Sequence, residues 1–109
     1  MDKEFIEIEQ AIKESDSKLT ELLKKRDNIK NAIKTLEDEN IALPESTYGT
    51  LAYYQSEFDK ESKAYQQLVG LRNRMRIECK HEYVLSDDKK YQECKHCGDK
   101  RYITSKINL

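Results

Sequence analysis

The sequence predicts a mainly α protein, in which a long antiparallel helical hairpin (coiled coil) precedes a small C-terminal β unit built around a metal site. An apolar heptad repeat runs over residues 3–42 and resumes after Pro44. All three cysteines and both histidines lie within residues 79–97. Charged residues make up 38% of the 109-residue chain, and only four residues are Gly or Pro, a composition typical of long solvated helices.

The first helix is predicted from a heptad pattern without a break. If Phe5 takes position a, the a and d positions are Phe5, Ile8, Ile12, Ser15, Leu19, Leu22, Arg26, Ile29, Ile33, Leu36, Asn40 and Leu43. Nine of these twelve are apolar, which indicates one narrow seam facing a partner helix. A helix with so narrow an apolar stripe needs such a partner, because it is not stable alone in water.

A turn is predicted near residues 42–47. Leu43-Pro44 should end the first helix, because proline cannot continue the helical hydrogen-bond ladder. A second seam then follows, formed by Leu51, Tyr54, Phe58, Glu61, Tyr65, Leu68, Arg72, Met75 and Cys79. Two helices joined by a short turn are expected to fold back antiparallel, which gives a hairpin over residues 1–78.

The polar seam residues suggest a pairing of the two helices. Folding the chain about the predicted turn places Arg26 opposite Glu61. A slip by one heptad would leave the guanidinium of Arg26 unpaired among apolar side chains, which costs several kcal/mol. The alternative is that Arg26 extends out of the seam into water. The same pairing brings Phe5 beside Cys79, so the C-terminal unit is expected to cover the start of the first helix.

The cysteines and histidines form the pattern Cys-x-His-x12-Cys-x2-Cys. Its four ligands are Cys79, His81, Cys94 and Cys97. Two short pairs of sulfur and imidazole ligands are typical of a closed structural zinc site, so zinc is the expected cofactor. His96 lies between the last two cysteines, where its ring should point away from the metal.

Two other interpretations of the cysteines remain open at this point. They could act as a redox pair, although the flanking segments are too short for a thioredoxin-like unit. They could also be inert thiols that pack as small apolar residues. The residue after Cys97 favours a metal-binding turn, because Gly98 adopts at little cost the positive φ that such turns often need.

Three short strands are predicted around these ligands. The sequence predicts a β-hairpin with a polar turn over residues 82–85 and 91–93, and a third strand over residues 100–104. The pattern Cys-x-His-x-Tyr-Val, a polar turn, and then Tyr-x-x-Cys-x-x-Cys-Gly-x-x-x-Tyr resembles the zinc ribbons of many small bacterial and phage proteins. The resemblance implies a zinc ribbon over residues 79–109. Such ribbons bind DNA, RNA or protein, or only stabilise a fold.

The whole arrangement also resembles two groups of proteins. Bacterial coiled-coil zinc-ribbon proteins act as adaptors, but they usually carry two Cys-x-x-Cys pairs where this chain has Cys79-x-His81. Small phage proteins that inhibit host defence or transcription machinery are similar to this chain in size and general organisation. Both resemblances imply a protein-binding adaptor or inhibitor.

Several classes of function are disfavoured by the sequence. No catalytic triad, phosphate-binding loop or His-Glu-x-x-His motif is present, so a non-enzymatic role is expected. A net charge of −1 gives no global attraction to nucleic acid. No 18-residue apolar run and no signal peptide are seen, and the thiols suit a reducing compartment. We therefore expect a cytoplasmic location, in a bacterium or in the host of a phage, and no membrane partner.

Binding to another protein is the expected function. The candidate contact residues are Tyr83, Tyr91, Lys95, His96, Arg101 and Tyr102. Nucleic-acid binding is the alternative, because ten basic and six acidic residues follow residue 69. The charge of residues 1–18 argues against nucleic-acid binding, because this segment carries six acidic residues and only three lysines. A homodimer is a third possibility, through a second apolar stripe formed by Ile6, Leu23, Val69 and Ile77.

Overall fold

The computed structural model describes residues 1–103 of the chain. Over this range two long helices are followed by a small antiparallel sheet, which confirms the predicted fold class. Helix α1 spans Lys3–Asp38 and helix α2 spans Glu45–Glu78; the strands are β1 (Tyr83–Leu85), β2 (Tyr91–Cys94) and β3 (Lys100–Tyr102). The end of the predicted ribbon, residues 104–109, lies outside the described residues.

The predicted seams are the faces on which the helices pack. The buried residues of α1 are all seam residues: Phe5, Ile8, Ile12, Ser15 and Ile33. The seam residues of α2 are half-buried, and no residue of that helix is fully buried. Two helices cover each other from one side only, which explains this partial burial. Neither helix contains an apolar stretch long enough to cross a membrane.

Helix α1 ends before the position predicted from Pro44. Its last residue is Asp38, and Asn40 adopts a left-handed backbone with φ of 57°. The N–H of Ile41 donates to the carbonyl of Leu36 at 2.9 Å, as in a Schellman motif. Asparagine is one of the few residues with a side chain that visits this conformation routinely. The cap at Asn40 therefore ends the helix, and Pro44 only precedes the start of α2.

The earlier end of α1 changes the pairing of the helices. Arg26 does not meet Glu61 as predicted: its Nη1 donates to Gln55 Oε1 at 3.1 Å, and its Cζ lies 5.1 Å from the centre of the Phe58 ring. Glu61 instead accepts a hydrogen bond from Ser15 Oγ at 2.7 Å. The predicted Arg26–Glu61 layer is wrong, because the pairing depends on where the turn begins and not on the seam residues alone.

The chain forms two compact units. One is Ile12–Gln67, which contains most of α1, the turn and the first part of α2. The other combines Met1–Ala11 with Leu68–Leu109, so the beginning of α1 and the end of α2 belong with the sheet. The four predicted metal ligands all lie in this second unit.

The sheet has the order β1-β2-β3, with both pairs antiparallel. Tyr83 lies opposite Cys94 in the first pair, and Tyr91 lies opposite Tyr102 in the second. Because side chains alternate between the faces of a sheet, Tyr91 and Tyr102 share one face, and Tyr83 and Cys94 share the other. This second face bears Cys94, one of the four predicted metal ligands.

Candidate metal centre

Cys79, His81, Cys94 and Cys97 come together at one end of the sheet. Their four ligand atoms all lie within 4.8 Å of one another. Cys79 follows the last residue of α2, His81 precedes β1, Cys94 ends β2, and Cys97 lies in the turn that leads to β3. Two pairs that are distant in the sequence thus converge on one point, where they could hold a metal ion.

The distances within this cluster fit a tetrahedral ion. The sulfur atoms of Cys79 and Cys94 are 3.9 Å apart, and Cys97 Sγ is 3.4 Å from His81 Nδ1. Zinc–sulfur bonds of about 2.3 Å at tetrahedral angles place two sulfurs about 3.8 Å apart. All three cysteines are free thiols, so the cluster does not contain a disulfide.

The turn from Cys94 to Gly98 is shaped as a metal knuckle requires. The N–H of Gly98 donates to the carbonyl of Cys94 at 2.9 Å, and Gly98 has φ of 75°. The glycine after Cys97 thus has the positive φ that its position predicted. Burial raises the pKa of the Cys94 thiol, but backbone N–H groups including that of Cys97, together with the His81 side chain, outweigh it and lower the pKa to about 5. The knuckle therefore favours a thiolate at Cys94.

The Cys79 thiol has the opposite tendency. Burial, supported by the sulfur atoms of Cys97 and Cys94, raises the pKa of the Cys79 thiol to about 12. Several thiolates crowded together repel one another unless a cation lies between them. A divalent metal ion supplies that charge and keeps coordinating thiols deprotonated.

The cluster is part of a hydrophobic core. Cys94 and Cys97 are 1% and 0% exposed, and they pack with Phe5 of α1. Met75, Cys79 and Tyr83 are partly buried against the same group. His81 alone of the four ligands is exposed. A metal bound here would therefore join the ends of both helices to the sheet, as expected from the predicted neighbourhood of Phe5 and Cys79.

His96 lies outside the cluster and has another role. Its Nδ1 is 3.1 Å from Asp2 Oδ1, and its Nε2 is 3.3 Å from Glu82 Oε1. These two carboxylates raise the pKa of the His96 side chain, the contact with Asp2 contributing most. The backbone N–H of Asp2 also donates to the carbonyl of His96 at 2.8 Å. The knuckle thus holds the residue that precedes α1, a contact that sequence reasoning missed because the two residues are far apart in the chain.

The predicted binding residues fall on different surfaces of this unit. Tyr83 is half-buried and donates to Asp99 Oδ2 at 2.9 Å, with Arg101 Cζ 4.3 Å from its ring centre. Lys95 lies on the knuckle near His96 and pairs with Glu82 at 2.7 Å. These residues therefore belong to the ligand-bearing face or to the knuckle itself.

Tyr91 and Tyr102 occupy the opposite face of the sheet. Their ring centres are 5.7 Å apart, and Lys100 Nζ lies 4.9 Å from the centre of the Tyr91 ring. Tyr91 is half-buried, whereas Tyr102 is 70% exposed. The six predicted contact residues thus do not form one continuous patch, and Tyr102 is the aromatic side chain among them most open to a partner.

The sheet with its Cys/His cluster agrees with the predicted zinc-ribbon architecture. Comparisons with protein-family models, with curated proteins and with solved structures found no match to this chain. Its function is therefore inferred from the chemistry of the residues described above.

Proposed function

We propose that Cys79, His81, Cys94 and Cys97 bind one zinc ion that stabilises the fold. The observation that supports this most directly is the convergence of four ligand atoms within 4.8 Å, two of them on fully buried cysteines. Three thiols and an imidazole suit zinc, whereas magnesium and calcium prefer oxygen ligands. A zinc ion held in this way contributes its binding energy to folding.

A structural zinc ion argues for a non-enzymatic protein. Catalytic zinc usually keeps one coordination position open for water or substrate. Here four protein ligands would fill a tetrahedral shell, and the cysteines are packed against Phe5 in the core. The protein is then expected to act by binding.

The partner that we propose is another protein, on which this chain acts as an adaptor or inhibitor in the cytoplasm of a bacterium or of a phage host. The support is the apolar surface of the ribbon: Val84, Leu85, Tyr102 and Ile103 are between 45% and 70% exposed. Large apolar side chains exposed on both faces of so small a unit favour an interaction with a partner. Short strands and a metal-fixed turn lose little conformational entropy on binding.

One observation favours nucleic acid as the alternative partner. Tyr91 and Tyr102 lie side by side on an open sheet face, next to Lys100. Aromatic rings beside basic groups form stacking platforms for single strands. Glu93 weighs against this, because it lies opposite Lys100 in the register and adds negative charge to the same face. Homodimerisation is the third alternative, since Ile6 and Ile77 are 52% and 82% exposed.

The proposal is tested by capturing partners from host lysate with the zinc-loaded protein, with and without nuclease. We expect a defined protein in stoichiometric amount after nuclease treatment. Tyr102→Ala should abolish its capture, whereas the matched control Tyr53→Ala should not, because Tyr53 is a 59% exposed tyrosine in the other compact unit.

Direct titration separates the alternatives. Duplex DNA and RNA are titrated at low and moderate salt, and sedimentation measures the oligomeric state. Tight nucleic-acid binding with a steep salt dependence, lost on substitution of Lys95, Lys100 and Arg101, would replace the protein-binding proposal. A stable dimer that excludes other partners would replace it with self-association.

A further inference from the structure

The edge of strand β3 that faces away from β2 is unpaired within the described part of the chain. The N–H of Ile103 donates to the carbonyl of Lys90 at 2.9 Å, and the carbonyl of Asp99 accepts from Cys94 at 2.8 Å. Because backbone groups alternate in direction along a strand, those of Lys100 and Tyr102 point away from β2. Within residues 1–103 no strand pairs with β3 on that side. Two residues thus offer backbone donors and acceptors at the edge.

Strand β3 carries two cations, Lys100 and Arg101, that form no ion pair within residues 1–103. Lys100 and Arg101 are held over the rings of Tyr91 and Tyr83, on opposite faces of the sheet. The ion pairs found in residues 1–103 include neither of them, whereas nearby Lys95 pairs with Glu82. Both cations are therefore positioned by aromatic rings and not by ion pairs, although Glu93 lies opposite Lys100 in the register.

A short, cationic edge is also a common protection against aggregation. Such an edge repels some strands and attracts others, according to the charge that they carry. A second copy of β3 would bring its own Lys100 and Arg101 against the first pair, and like charges on neighbouring strands repel. A strand that carries carboxylates is attracted to this edge instead. An apolar side chain of the same strand can cover the exposed ring of Tyr102.

We propose that the open edge of β3 binds an extended acidic segment of a partner protein as a fourth strand of the sheet. The inference rests on the proposed protein-binding function and specifies its chemistry. Backbone pairing with Lys100 and Tyr102 supplies affinity, as in other cases of strand addition. Arg101 and Tyr102, on opposite faces of the sheet, select for alternating acidic and apolar side chains, and Lys100 adds positive charge to the edge.

The test uses a fluorescent peptide in which Glu alternates with Val, titrated against the full zinc-loaded chain. Such a strand can place carboxylates beside Arg101 and valines beside Tyr102. We expect saturable binding of this peptide and not of a Lys-Val peptide of equal length. A copy of the Glu-Val peptide with N-methylated backbone nitrogens should not bind, because it cannot form the ladder.

Amide hydrogen exchange provides the decisive readout. On addition of the peptide, the N–H groups of Lys100 and Tyr102 should become protected, while that of Arg101, which already faces β2, should not change. Protection at Tyr83 and Leu85 instead would place the peptide on β1 and overturn the inference. Equal binding of the N-methylated peptide would also overturn it.

Charge-reversal variants complete the test. Lys100→Glu with Arg101→Glu should weaken peptide binding about tenfold or more, since the contact with Arg101 becomes repulsive and the positive charge of the edge becomes negative. Lys30→Glu with Lys34→Glu makes the same change in net charge on exposed positions of α1 and should have little effect. The zinc content of each variant shows that the ribbon is intact.

Two outcomes separate this inference from the proposed function. If no acidic peptide binds but a host protein is still captured through Tyr102, the edge inference fails and protein binding stands. If a single-stranded oligo(dT) probe displaces the peptide and binds more tightly, the edge serves nucleic acid and both are overturned.

Discussion

The hydroxyl of Ser15 on α1 donates a 2.7 Å hydrogen bond to Oε1 of Glu61 on α2. Ser15 is only 4% exposed, and Glu61 is half-buried. Each side chain is the hydrogen-bond partner of the other in a seam that is otherwise mainly apolar. Buried polar groups need such partners. This pair, and not Arg26 with Glu61, is a polar layer of the helix pairing.

The first prediction concerns this layer. Ser15→Ala should lower the free energy of unfolding by about 1.5 kcal/mol, because it removes the bond and leaves the carboxylate of Glu61 without that partner. A double-mutant cycle in urea between Ser15→Ala and Glu61→Leu should show coupling above about 0.5 kcal/mol. The losses from Arg26→Leu and Glu61→Leu should simply add. Coupling in the second cycle and not in the first would contradict the pairing described here.

Metal removal should affect the two compact units differently. Purified protein is expected to contain one zinc ion per chain by elemental analysis, because the site has one complete set of ligands. Cys94→Ser should lose the ion and unfold the ribbon, since zinc binding energy is folding energy. Circular dichroism should show most of the helix retained, because residues 12–67 lack a metal ligand. Absence of stoichiometric zinc would refute the site.

The two histidines provide a matched comparison. His81→Gln should release zinc, because His81 supplies the fourth ligand atom of the cluster. His96→Gln should keep it, because His96 contacts Asp2 and Glu82 instead. Competition with a chromogenic chelator measures both affinities. Loss of zinc from the His96 variant alone would show that His96, and not His81, is the fourth ligand.

The cap of α1 predicts an effect at Asn40. Asn40→Ala should destabilise the protein by about 1 kcal/mol, because a residue with an ordinary side chain is strained at φ of 57°. Asn40→Gly should be tolerated or stabilising, since glycine is the preferred residue at this position of a helix cap. Asn28→Ala, at an exposed position inside α1, is the control and should be neutral or slightly stabilising. Equal effects at both positions would argue against the cap.

Two glycines should respond in opposite ways to alanine. Gly98 has φ of 75°, and an added Cβ would lie 2.8 Å from Met1 Sδ, so Gly98→Ala should destabilise the ribbon by about 1 kcal/mol or more. Gly70 lies in α2, where an added Cβ would meet no neighbouring atom within 4 Å, so Gly70→Ala should stabilise the helix by up to about 1 kcal/mol. Thermal unfolding of the zinc-loaded variants measures both.

Much of the architecture follows from local pattern. The heptads identify both helices and the faces that they bury, because each turn of a helix repeats the same side-chain directions. The spacing of the cysteines with His81 predicts the cluster that could hold a metal ion, because tetrahedral coordination favours two short pairs of ligands at a recognisable spacing.

Tertiary structure alone decided how these elements meet. The pairing of Arg26 and Glu61 was predicted wrongly because heptads identify the faces that meet but not where the chain turns, and α1 ends at Asp38, before Leu43-Pro44. The contact between Asp2 and His96 has no local signal at all, since it joins residues from opposite ends of the described chain. The periodicity of a sequence determines which side chains are buried, whereas the partner of each one depends on a turn whose geometry a single residue can change.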